Sequence, residues 1–284
     1  MDHHNLHSTH VHLTAALQLP LVVIVAAISG VMNSVAGGGT LLTFPALVGL
    51  GISPIVANAT STVALWPASV SSMFGYRREL KGSLPWAGAF ALPSILGGAA
   101  GAVLLLHTSP ARFSALVPWL VLGATALFFL QEPVMRAIRQ RQMLEARTER
   151  QTTLLDDATA TGLLPSLPFL FYQFLVAIYG GYFGAGAGIL MLAALGFMGL
   201  SNIHRMNGLK NWGGLCMNAI AALLFAFSRL VDWPVALGMA AGAMVGGYTG
   251  SRVAQRVGQR AVRWAIIVIG LGSGLAMLAS ELRR

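Results

Sequence analysis

The chain has 284 residues, 56% of them hydrophobic and 10% charged, and 18 Lys and Arg against 9 Asp and Glu give a formal charge of +9. Soluble domains carry about 25% charged residues, so this composition, with a mean hydropathy of +0.71, excludes an ordinary soluble enzyme. An isoelectric point near 10.8 would suggest nucleic acid as the partner of a soluble protein; here the arginines flank apolar blocks, which fits anionic lipid headgroups and sets nucleic acid aside.

Residues 1–16 form a His-rich tail with His3, His4, His7, His10 and His12. It has no Lys or Arg in its first twelve residues and so lacks the charged start of a signal peptide. Neutral imidazoles bind zinc, nickel or copper, but no fixed scaffold organises these, and the tail is read as extramembrane with no metal or cofactor assigned. The sole cysteine, Cys216, falls in an expected helix and excludes an intrachain disulfide framework.

Eight apolar spans follow: Leu17–Gly51, Ile55–Tyr76, Leu84–His107, Phe113–Leu130, Leu167–Leu200, Met206–Phe227, Trp233–Ala254 and Val262–Leu278. A crossing helix needs about 20 residues. The first and fifth spans are too long for one crossing, and glycine interrupts both: Gly37-Gly38-Gly39 in the first; Gly180-Gly181, Gly184, Gly186 and Gly188 in the fifth. Hydrocarbon offers unwound backbone no water, so such breaks persist only inside protein or beside a cavity. The expected fold is an all-α membrane protein of about eight transmembrane helices in two related four-helix halves, residues 17–131 and 166–284. Its first and fifth segments are broken, each into a spanning helix plus a half-helix that turns back, or into a broken helix with a kinked end.

Between the halves, residues 132–165 make the one long polar stretch, read as a charged cytoplasmic linker with a surface helix from Val134 to Gln151. The halves share an order of glycine break, polar-decorated helix, tryptophan and glycine-rich helix: Thr60 aligns with Asn207, Trp86 with Trp233, Gly98 with Gly247 and Gly101 with Gly250. Eight crossings put Arg77, Arg78, Lys81, Arg136, Arg139, Arg141, Arg147, Arg150, Arg229, Arg283 and Arg284 on one side with both termini, so the positive-inside rule expects the termini in the cytoplasm. Arg252, Arg256, Arg260 and Arg263 count against that arrangement. Four spans per half also make the halves parallel; an inverted pair needs an odd number of crossings in each.

The candidate site gathers at the breaks. An unwound glycine run bares backbone amides, and the half-helix after it starts with partial positive charge, a geometry that attracts anions. This singles out Asn33, Ser34, Gly37, Gly38, Gly39 and Thr40 at the first break, Thr60 and Ser61 in the next span, Gly184 and Gly186 at the second break, and Asn207, Lys210 and Asn211 beyond it. The competing reading is close helix packing for the glycines and snorkelling for Lys210. A mid-membrane lysine costs roughly 2.5–3.5 kcal/mol on insertion scales, which favours a functional partner, here an anion. The ladder Gly238, Gly242, Gly246 and Gly250, with Gly97 and Gly101 and with Gly270 and Gly274, reads as a packing surface. Neither an intramembrane pair of acids nor a Walker motif occurs, so neither enzyme nor ATP-driven pump is expected.

With Gly30-Val-Met-Asn-Ser-Val-Ala-Gly-Gly-Gly39, the run Pro45 to Gly51, Ala57-Asn-Ala-Thr-Ser61, Asn207-Gly-Leu-Lys210, Asp232-Trp233 and Gly246-Gly-Tyr-Thr-Gly250, the chain resembles the TauE/SafE family of membrane permeases, from Leu17 to Leu278. The resemblance implies two related four-span halves and transport of sulfur-containing anions such as sulfite or sulfonates. The resulting expectation is a secondary transporter of a small anion, bound near mid-membrane at the two breaks, in a bacterial inner membrane. An anion channel or pore and a non-transport membrane subunit are the alternatives. A coupling ion, H+ or Na+, and a homo-oligomer are left open.

Overall fold

The computed structural model describes residues 20–34, 37–81, 84–149, 165–198, 200, 203–253 and 259–282. Among the described residues there are ten helices and no strand: α1 (Pro20–Ser34), α2 (Thr40–Gly49), α3 (Pro54–Lys81), α4 (Leu84–Leu106), α5 (Pro110–Glu149), α6 (Leu167–Tyr182), α7 (Ala187–Phe197), α8 (Ile203–Ala226), α9 (Trp233–Val253) and α10 (Gln259–Leu282). The eight expected spans coincide with these helices, the two long ones each supplying a pair. The surface helix expected at the start of the linker is the end of α5, which runs on to Glu149 through Pro118 and Pro133. The His-rich tail lies outside the described residues. By length and apolar composition, α4, the first part of α5 and α10 are long enough to cross a membrane; α3, α8 and α9 have 28, 24 and 21 residues.

Side-chain pairings give the helix directions. Gly242, Gly246 and Gly250 of α9 abut Val23, Ala27 and Val31 of α1 in ascending order, so α1 and α9 run parallel. Asp232 donates its N–H to Thr60 Oγ1, and Ser72 Oγ donates to the Gly247 carbonyl, which sets α3 parallel to them. Gly97 and Gly101 of α4 abut Phe174 and Ile178 of α6, while Phe90 and Gly98 of α4 abut Gly213 and Met217 of α8, a second parallel set. The sets oppose each other. Asn58, near the start of α3, reaches Tyr182 at the end of α6, and Gly37, just past α1, reaches Lys210 early in α8. The helices α5 and α10 are antiparallel, with Thr125 against Gly270, Leu122 against Gly274, and Glu132 ion-paired with Arg263.

The two broken segments are therefore hairpins. Tyr172 hydroxyl donates to the Leu190 carbonyl and Tyr179 hydroxyl to the Ala185 carbonyl, folding α7 back along α6. A β-carbon on Gly39 would meet the Ser29 carbonyl oxygen, so the chain likewise reverses after α1. Thr43 Oγ1 and Ser61 Oγ lie 2.5 Å apart, equally far from the turn between α2 and α3, and α2 runs antiparallel to α3. Of the two forms that the long spans allowed, the half-helix that turns back is the one found, in both places. The count of eight crossings took each broken segment as a single crossing, and the parallel halves followed from that count. Eight crossings would put Arg263 and the polar end of α5 on opposite sides, whereas Arg263 is bound to Glu132.

Close approach explains the glycines. A β-carbon on Gly242, Gly246, Gly97 or Gly101 would drive into a backbone carbonyl oxygen of the neighbouring helix, at Val23, Ala27, Phe174 and Ile178 respectively. Apolar lipid supplies no hydrophobic drive to bring helices together, so contact rests on such backbone-level packing. The hairpin ends also touch through aromatic rings: Phe44 of α2 meets Phe183 edge-on, with centroids 5.4 Å apart.

Candidate functional site

The hairpin tips converge. Gly37 has φ 79°, Gly184 83° and Gly186 82°, left-handed values that glycine adopts without the Cβ clash other residues meet. This chemistry lets the chain reverse at both tips without a longer loop. A β-carbon on Gly37 would lie 3.4 Å from Gly188 Cα and 4.0 Å from Lys210 Nζ, so the first tip sits directly against the start of α7 and the lysine of α8.

Between these elements lies a cavity of about 40 Å3. Asn33 and Gly37 line it from the first hairpin, Gly184, Ala187 and Gly188 from the second, Ser69 from α3, and Lys210 and Asn211 from α8. A water-sized probe occupies about 10–15 Å3 on the same measure, so the space takes a few waters or one small ion. The lining includes neither Asp nor Glu.

Lys210 sets the electrostatics. It is only 3% exposed, and its ammonium has no hydrogen-bond partner among the described residues. Asn211 Nδ2 is likewise buried and unpartnered. Leaving a buried donor unmade costs about 1–3 kcal/mol, more for a charged group. An ammonium and an amide thus share a small space whose backbone contribution is the first turn of α7. That helix starts at Ala187, and its N-cap Gly186 offers no side-chain cap; the Ala187 and Ile189 N–H groups donate to the Gly184 and Gly186 carbonyls, and the helix start adds partial positive charge. The arrangement can hold an oxyanion by charge and by donated hydrogen bonds.

Of the residues singled out in the sequence, Asn33, Gly37, Gly184, Lys210 and Asn211 meet at the cavity. The others stand elsewhere. Gly38 faces the Phe128 ring of α5, Gly39 packs on α1, and Ser34 on Gly250. Thr40 opens α2, whose first turn does not line the cavity. Gly186 abuts Leu127 and Ala124. Thr60 and Ser61 spend their hydroxyls on the Asp232 N–H and on Thr43. Asn207 is buried one turn before Lys210, its Oδ1 unpartnered, but off the cavity wall. Ser69, Gly214 and Met217 line the space without having been singled out. Their signal on α8 was periodicity: Lys210, Gly214, Met217 and Asn218 fall at i, i+4, i+7 and i+8, one helix face. Ser69 carried no comparable signal.

The model of the family described as sulfite exporter TauE/SafE matches residues 22–277. The chain belongs to that family. The match takes in α2 to α9 whole, α1 from residue 22 and α10 up to residue 277, and so includes both hairpins and Lys210. Among curated relatives, a probable membrane transporter protein of Haemophilus influenzae is 28% identical over 80% of this chain and 81% of its own length. The probable membrane transporter protein YfcA of Escherichia coli K12 is 28% identical over 81% and 78%. The probable membrane transporter protein ORF9 of a Sinorhizobium species is 28% identical over 92% of both chains. No solved structure matches. With this membership and its long apolar helices, the chain is an integral membrane protein.

Proposed function

We propose that this protein is a secondary transporter that carries a small anion through the cavity between its two hairpin tips. One observation carries the reading: Lys210 is buried and without a partner in a cavity whose lining includes no acid. An intramembrane cation in that state calls for an anionic partner. The names of the relatives, all probable membrane transporters, support transport. The family description, sulfite exporter, makes sulfite and short sulfonates the first substrates to try.

The helix directions support two related halves of opposite orientation. Each is a re-entrant hairpin plus three crossing helices, α1 to α5 and α6 to α10, joined by residues 150–164. Every helix of the first half then has a counterpart running the other way, the arrangement in which transporters bind substrate at the interface of the repeats. Protein reconstituted into liposomes tests the reading. A transporter gives saturable uptake of labelled sulfite or a sulfonate that unlabelled substrate competes away, and Lys210→Met abolishes it. Flux that stays linear with concentration would favour a channel. No flux of any of these anions by folded protein would remove the anion reading.

A further inference from the structure

The hairpins change which charges share an end of the molecule. Following the helix directions, the ends of α3 and α9, the polar end of α5 and the starts of α8 and α10 all lie at one end. On those segments stand Arg77, Arg78, Lys81, Arg136, Arg139, Arg141, Arg147, Arg205, Arg252, Arg260 and Arg263. At the other end, among the described residues, the cations are Arg112 at the start of α5 and Arg229 between α8 and α9. The cluster on α9 and α10 that opposes the eight-span count thus joins the majority. The ion pair of Arg263 with Glu132 fixes that grouping independently of any count.

We propose that the cationic end faces the cytoplasm, held by the anionic headgroups of the inner leaflet, and that the start of α1 and the end of α10 face the outer side. The inference rests on the reading of three crossings per half given above. Lys and Arg in short loops and within about 15–20 residues of membrane ends set orientation by staying on the cytoplasmic side, and anionic lipid there attracts such clusters. The asymmetry between the two ends is far larger than the eight-span count gives, and it points the other way for those two helix ends. Two consequences follow for the site. The α1–α2 hairpin enters from outside and the α6–α7 hairpin from the cytoplasm, so each side of the membrane owns one gate-like element. Lys210, about two turns from the start of α8, belongs to the cytoplasmic half of the cavity.

The test uses single cysteines in the full-length protein with Cys216→Ala. Ser109→Cys marks the turn between α4 and α5, Arg229→Cys the turn between α8 and α9, and Gln140→Cys the exposed polar end of α5. Intact cells are treated with a membrane-impermeant maleimide, and permeabilised cells show that every site can react. Labelling of Ser109→Cys and Arg229→Cys in intact cells, with Gln140→Cys labelled only after permeabilisation, is the expected result. The reverse pattern, Gln140→Cys labelled from outside and the other two protected, overturns the orientation and leaves the crossing count standing. If instead Ser109→Cys and Arg229→Cys fall on opposite sides, the crossing count itself fails, because eight crossings separate those two turns and six unite them.

Discussion

Gly37 stands against Gly188 so closely that a β-carbon on either would touch the other's Cα at 3.4 Å. This is where the tip of one hairpin meets the start of the other's returning helix, beside Lys210. The two glycines differ in what they tolerate. Gly37 has φ 79°, so Gly37→Ala adds backbone strain of about 1–2 kcal/mol as well as crowding. Gly188 is helical, and its β-carbon would lie 3.3 Å from Lys210 Cδ. Gly188→Ala is expected to fold normally and to weaken anion binding roughly tenfold, about 1.4 kcal/mol, by displacing the lysine. Calorimetric titration with sulfite, alongside thermal unfolding, checks this; an unchanged dissociation constant would show that the anion binds elsewhere.

The glycines of the helix faces separate into two kinds by what lies in front of them. A β-carbon on Gly246 would enter the Ala27 carbonyl, whereas one on Gly272 meets nothing within 4 Å. Gly246→Leu should push α1 away from α9 and sharply lower the yield of folded protein. Gly272→Leu on the open face of α10 should be neutral or slightly stabilising, since glycine is the poorer helix former by about 1 kcal/mol. Size-exclusion profiles of the two variants in detergent give the answer, and equal profiles would contradict the assigned α1–α9 packing.

The helices and both breaks were legible because apolar block length and glycine runs are local signals. What one sequence did not settle was the direction of the chain after each break. Gly37-Gly38-Gly39 fits a kinked span as well as a reversal, and the choice depends on tertiary contacts such as Tyr172 with Leu190. From that choice follow the crossing number, the relation of the halves and the side of every loop. In the site, Lys210 stood out because a charge in an apolar segment is rare. Thr60 and Ser61 drew the same attention but are satisfied by Asp232 and Thr43, partners distant in sequence that no local pattern reveals. Gly38 is the instructive case. It needs to be glycine because of Phe128, so substitution there tests packing against α5 and not ligand approach.

A second buried polar contact gives a control for effects on stability. Gln173 Nε2 donates to Ser94 Oγ at 2.9 Å, joining α6 to α4, and both side chains are fully buried. Ser94→Ala leaves the Gln173 amide without that acceptor and should cost about 1–3 kcal/mol with no change in substrate affinity. Ser94→Ala combined with Gln173→Leu should recover part of the loss, because removing both partners is less costly than removing one. Thermal unfolding of the four proteins of this cycle measures the coupling. Additive losses would mean that the hydrogen bond contributes nothing.

Lys210 makes the sharpest demand, because binding and stability should move in opposite directions. The ammonium is desolvated, 3% exposed and unpaired among the described residues, so in the empty protein it is a liability. Lys210→Met keeps the length and apolar stem and removes the charge; without ligand, this variant should unfold at a higher temperature than the parent. With ligand the sign reverses. The parent gains stability from an anion that binds only the folded state, about 2.7 kcal/mol at a hundredfold excess over the dissociation constant, and Lys210→Met should gain almost none. Lys210→Arg keeps the charge but replaces a point donor by a planar fork, too large for a space of about 40 Å3 without adjustment, so weakened but measurable binding is expected. Melting curves of the three proteins with and without sulfite or a short sulfonate separate the cases. A Lys210→Met protein that is less stable when empty and equally stabilised by the anion would make the lysine a structural residue and move the site away from the hairpin tips.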